Sequence, residues 1–112
     1  MMERRNFPRV EASHPVLYFT ESYPRPKAAW TLDLSLGGTR IETSNTLTTG
    51  ERFWINIAIH PQTIKCRGKA IYVLEPENGG MKAGIKFEEL SEHDKLYIRQ
   101  YLSYVMEQQG HI

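Results

Sequence analysis

In Trp30-Thr31-Leu32-Asp33-Leu34-Ser35-Leu36-Gly37-Gly38-Thr39-Arg40-Ile41-Glu42-Thr43, apolar and polar residues alternate on both sides of a glycine pair. Alternation with a period of two is the signature of a strand with one face in a core, and a glycine pair between two such runs marks a hairpin turn. The first run predicts Trp30, Leu32 and Leu34 facing the core, with Thr31, Asp33 and Ser35 as an outward polar stripe. In the second, Ile41 is the inward residue between Arg40 and Glu42.

Working outward, residues 16–20 are β-branched and aromatic, and Tyr23-Pro24-Arg25-Pro26 must interrupt them because proline donates no ladder hydrogen bond. Residues 52–60 place Phe53, Ile55, Ile57 and Ile59 on one parity between Gly50 and Pro61, which predicts another strand. Ile64, Cys66 and Ala70 share a parity with Tyr72 and Leu74, whereas Ile71 and Val73 take the other, so a long strand with a bulge or bend near Gly68 is expected. Met81, Ala83, Ile85 and Phe87 form the last strand. Then the period changes: Ser91 stands three residues before Asp94 as an N-cap, and Ile98, Tyr101, Leu102 and Val105 fall on one helical face. The expectation is a mainly β domain, a small antiparallel barrel or sandwich closed by a C-terminal helix over residues 92–108.

The 112 residues suffice for one core and not for two. We divide them into a flexible basic arm, residues 1–9, and a barrel domain, residues 10–112. No stretch is long and apolar enough to span a bilayer, and no secretory or lipidation signal opens the chain, so the expected location is cytoplasmic. A net charge of +1 argues against a generic nucleic-acid binder. The single cysteine, Cys66, excludes an internal disulfide and reads as a buried thiol.

Two motifs carry chemistry. Arg5 and Arg9 are spaced R-x-x-x-R, and Pro8 disfavours a helix there, leaving an extended arm whose guanidinium forks suit phosphate oxygens and guanine edges. Asp33, Ser35 and Gly38 form D-x-S-x-x-G, with a carboxylate for the N1 and N2 hydrogens of guanine, a hydroxyl, and a glycine that permits close approach. Separately, these are a solvated tail and an ordinary hairpin. In this order and spacing, followed by Gly84-Ile85-Lys86-Phe87 and a terminal helix, they resemble the PilZ domain family over nearly the whole chain.

The resemblance implies a six-stranded antiparallel β-barrel with a C-terminal helix that binds cyclic di-GMP between arm and barrel. Arg5 and Arg9 would hold phosphates and guanine edges, and Asp33, Ser35 and Gly38 the second half of the site. Arg4 resembles family members that take up a stacked ligand dimer, which implies two ligands per chain. The arm would order on binding and signal to a downstream protein partner. No metal or other cofactor, and no catalytic activity, is expected: His14, His60, His93 and His111 lack metal-ligand spacing, and Asp33 has no acidic partner close in sequence. The alternatives are an interaction adaptor of the same fold without a nucleotide site, and a single-stranded nucleic-acid-binding barrel using Lys65, Arg67 and Lys69 with Tyr18, Phe19 and Trp54.

Overall fold

The computed structural model describes residues 9–20, 25–75 and 80–110. It contains strands β1 (Val10–Glu11), β2 (Pro15–Phe19), β3 (Lys27–Leu34), β4 (Gly38–Thr43), β5 (Arg52–Ile59), β6 (Gln62–Leu74) and β7 (Met81–Glu89), then helix α1 (Glu92–Gly110). All pairings are antiparallel, in the order β1-β3-β2-β5-β6-β7-β4, and β4 returns to β3. Six strands therefore close into a barrel, which removes their free edges, and the short β1 is an additional strand on β3.

The core is the set of inward residues that alternation singles out. Phe53, Ile55, Ile57 and Ile59 of β5 meet Ile64, Cys66 and Ala70 of β6, and Ile85 of β7 joins them. Gly50, with φ of 91°, makes the left-handed turn into β5 that other residues adopt only at a cost. At the helix, Ser91 Oγ accepts the Asp94 backbone N–H at 3.0 Å, the expected N-cap bond. Ile98 and Leu102 are buried against the barrel, with Tyr101 and Val105 packed beside them. The Tyr97 hydroxyl donates to the Ile59 carbonyl at 2.6 Å, fixing the helix to the end of β5.

Two departures from simple alternation have identifiable causes. Trp30 is 54% exposed and Thr31 only 1%, the reverse of the expected parity. Between Thr31 and Asp33 the β3–β4 register slips by one, so Leu32 is an extra residue and the strand changes phase there. Leu34 is thus inward as expected, while the earlier half of β3 is inverted. Thr31 is tolerated inside because its hydroxyl has work there: it donates to the Ala12 carbonyl and accepts the His14 backbone N–H at 2.8 Å. Those bonds bridge the interruption between β1 and β2, which run along the same edge of β3. In β6 a similar slip between Ala70 and Tyr72 sends Tyr72 and Leu74 outward, after a first slip beside Gly68.

Tyr18, expected among exposed aromatics in the nucleic-acid alternative, is instead 2% exposed in the core, its ring against Phe53 and its hydroxyl 3.2 Å from Thr43 Oγ1. Cys66 is buried as expected; burial, with a smaller contribution from the Asp94 charge, pushes its thiol up to about 12. It therefore stays protonated and sheltered in mildly alkaline solution. Ellman's reagent is expected to leave Cys66 unlabelled in the native protein and to label it fully in denaturant; rapid native labelling would mean that β5 and β6 separate readily.

Candidate functional site

The β3–β4 hairpin organises the site. Its turn is centred on Leu36 and Gly37, which brings Asp33 opposite Arg40 and Leu34 opposite Thr39. Ser35 builds that turn. Its Oγ accepts the backbone N–H groups of Gly37 and Gly38, each at 3.2 Å, and lies 3.2 Å from the Gly38 carbonyl, to which it donates. The Ser35 backbone N–H donates to the same carbonyl at 2.9 Å.

Gly38 is required by its neighbour on β7. A Cβ there would fall within the van der Waals envelope of the Ile85 carbonyl oxygen, with the Ile85 carbonyl carbon 3.2 Å away and the Lys86 Cα 3.3 Å away. The glycine of the motif therefore serves close strand packing, whatever it also permits for a ligand.

Asp33 is the centre of charge. Its Oδ1 accepts Arg9 Nη1 at 2.7 Å and the Arg40 backbone N–H at 3.1 Å, and its Oδ2 accepts Arg40 Nε at 2.6 Å. The expected outward stripe is thus corrected: Asp33 and Ser35 are 3% and 2% exposed. Asp33 lies on the outer side of the sheet, but Arg9 and Arg40 cover it, and a carboxylate so enclosed is stable only with such pairing. The bond to Asp33 is also the largest reason that the Arg40 guanidinium is held even more firmly in its charged form.

One carboxylate between two guanidinium groups leaves an excess positive charge. The Arg9 Nε–H is buried and has no hydrogen-bond partner among the described residues. Such a donor favours an anionic oxygen. Beyond Arg40 a row crosses the outer face to Gly84 and Tyr72, with the Tyr72 ring lying over the glycine. A depression of about 560 Å³ opens beside the turn, bordered by Leu36 and Gly37, by the cations Lys86, Lys95 and Arg99 and by Glu88 and Glu89, a size that suits a small-molecule ligand.

The structure therefore brings together four of the anticipated residues, Arg9, Asp33, Ser35 and Gly38, across a separation of 24 residues between Arg9 and Asp33. Arg4 and Arg5 lie outside the described residues. Sequence reasoning missed Arg40, although a turn at Leu36–Gly37 already pairs position 40 with Asp33. Tyr72 was missed because the bulge before it reverses its facing. Among the described residues, no group of His, Cys, Asp and Glu side chains is arranged to hold a metal ion. No helix among them is long and apolar enough to cross a membrane.

Several solved structures share the fold. Bacillus subtilis inhibitor of motility, MotI/DgrA, superposes with a TM-score of 0.80 at 17% identity, covering 98% of this chain and 54% of that one. The PilZ domain with c-di-GMP of YcgR from Escherichia coli gives 0.75 at 16% identity, covering 98% of this chain and 100% of that one. The K. pneumonia MrkH–c-di-GMP complex gives 0.72 at 16% identity, covering 97% and 55%. The chain thus spans about half the length of the MotI and MrkH chains. No curated protein matches it. The PilZ domain model matches residues 3–104, nearly the whole chain, and the chain therefore belongs to the PilZ domain family.

Proposed function

We propose that this chain is a receptor for cyclic di-GMP, held by the basic arm and the β3–β4 hairpin. The observation that carries the reading is the convergence of Arg9 and Arg40 on Asp33 beside the Ser35–Gly38 turn. Two of the solved relatives are described as c-di-GMP complexes, which supports the same ligand class.

Asp33 has a different part from the one its residue type first suggests. With both oxygens already accepting from arginines, it is the positioning residue that aims two guanidinium groups, leaving their remaining N–H donors for phosphate oxygens and for the guanine O6 and N7 acceptors. Arg5 extends this cation set from the arm. Charge-assisted bonds to the ligand offset the entropy lost when the arm is immobilised. The ordered arm then presents a new surface to a downstream protein in the cytoplasm, and no catalytic step is involved. Arg4 provides for a second, stacked ligand molecule.

Isothermal titration calorimetry tests this. The wild type is expected to give saturable heat with two nucleotides per chain; Arg9→Ala should weaken binding by about 10- to 100-fold, the loss of one or more charge-assisted bonds. One nucleotide per chain would remove the role given to Arg4. An absence of heat would remove the receptor reading and leave the fold as an interaction module.

A further inference from the structure

The outer face of β3, β2, β5 and β6 is unlike the charged exterior usual for a sheet exposed to water. Cross-strand neighbours divide it into rows. Trp30 stands opposite Pro15, and Ala58 opposite Thr63. Ala28, Leu17, Asn56 and Lys65 form the next row, and Phe19, Trp54 and Arg67 the third. A groove of about 320 Å³ runs through the first two rows, and among the described residues no charged side chain lines it. Trp30 and Leu17, about half exposed, supply its apolar walls. Isolated exposed apolar residues are ordinary, but a contiguous apolar groove marks an interaction site.

Charge at the rim indicates the occupant. On the β6 side Lys65 and Arg67 border the apolar rows, and Lys69 continues their parity. Glu89 stands opposite Arg67 on β7 without an ion pair, and Asp94 accepts the Lys65 backbone N–H rather than its ammonium. Glu42 is the acid opposite Trp30 on the far side. The β6 rim is thus cationic.

We infer that this face docks a protein segment that presents an apolar anchor side chain followed by carboxylates, the anchor entering the Leu17–Trp30 groove and the carboxylates meeting Lys65 and Arg67. A single strand of nucleic acid fits less well. Its bases need open aromatic faces, and the Arg67 guanidinium already lies over Trp54, 4.7 Å from the ring centroid. Apart from Trp30, and from the polar Asn56 and Thr63 on the β5–β6 side, the groove walls are small or aliphatic, which suits a Leu, Met or Phe anchor.

The inference rests on the receptor reading only in supplying the partner that reading needs. Random peptides displayed on phage and selected against the full chain are expected to enrich sequences with a large apolar residue beside two or more acidic ones. Fluorescence anisotropy with an enriched peptide should show binding weakened at least about tenfold by Leu17→Ser with Trp30→Ser, surface changes that leave the fold intact. Lys65→Glu with Arg67→Glu should weaken it similarly and create binding to the same peptide with lysines in place of its acids. Enriched sequences without acids, or binding indifferent to both double variants, would overturn the inference. So would salt-sensitive binding of oligothymidylate lost in the same variants, which would assign the face to nucleic acid. Cyclic di-GMP titrations of these variants should match the wild type, so failure here is distinct from failure of the nucleotide site.

Discussion

Asp33→Ala is expected to destabilise the protein by about 2–3 kcal/mol and, in the same variant, to abolish cyclic di-GMP binding. The carboxylate is buried and accepts three hydrogen bonds, two from arginine side chains and one from the Arg40 backbone. Breaking a fully buried ion pair typically costs about 3–5 kcal/mol, because the remaining charge is stranded. Here the cost falls below that range, since the Arg40 and Arg9 side chains are 42% and 26% exposed and regain water once released. The backbone N–H of Arg40 also loses its acceptor, which adds to the loss. Binding fails for a separate reason: without the carboxylate neither guanidinium has a fixed direction. Urea denaturation gives the stability change, and a titration at a temperature where the variant remains folded gives the affinity. An Asp33→Ala protein as stable as the wild type that still binds normally would show that the triad organises nothing.

The second large effect is at Gly38. Gly38→Ala is expected to cost about 2–3 kcal/mol, the upper part of the range for inserting a methyl group into packed structure. The obstacle is the Ile85 carbonyl, a backbone group of β7, which moves only if the Gly38–Lys86 end of the β4–β7 ladder opens. Gly84→Ala is the informative comparison. Its new methyl meets ring atoms of Tyr72, a side chain on the outer face that is 38% exposed and also bonds to Arg40, so the ring must shift against that contact but no strand has to move, and the expected cost is about 1 kcal/mol. Thermal unfolding of the two variants side by side tests the difference. Equal losses would mean that strand approach at Gly38 is not what demands a glycine.

The parts of the fold that could be read from residue order are those with unbroken periodicity. Phe53 to Ile59, Met81 to Phe87 and the Ile98–Leu102 helix face all bury the parity their sequence indicates. Trp30 and Thr31 could not be read correctly, because a bulge at Leu32 reverses phase without any marker such as glycine or proline. A threonine is also chemically ambiguous: it is polar by type, yet Thr31 belongs inside once its hydroxyl bonds to Ala12 and His14. The short β1 was hidden for a similar reason, since two residues show no period. At the candidate site, the acid, hydroxyl and glycine were visible as a motif, but their facing and saturation were not. Arg40 looked like any outward strand cation until its distance to Asp33 was known.

The most direct test of the receptor account is an amide NMR titration with cyclic di-GMP. The account predicts large, saturable shifts of the Arg9 and Val10 amides and of those from Asp33 to Arg40, with the β5 amides from Phe53 to Ile59 unmoved. Saturable shifts confined to β5, β6 or the helix, or no shifts at all, would contradict it.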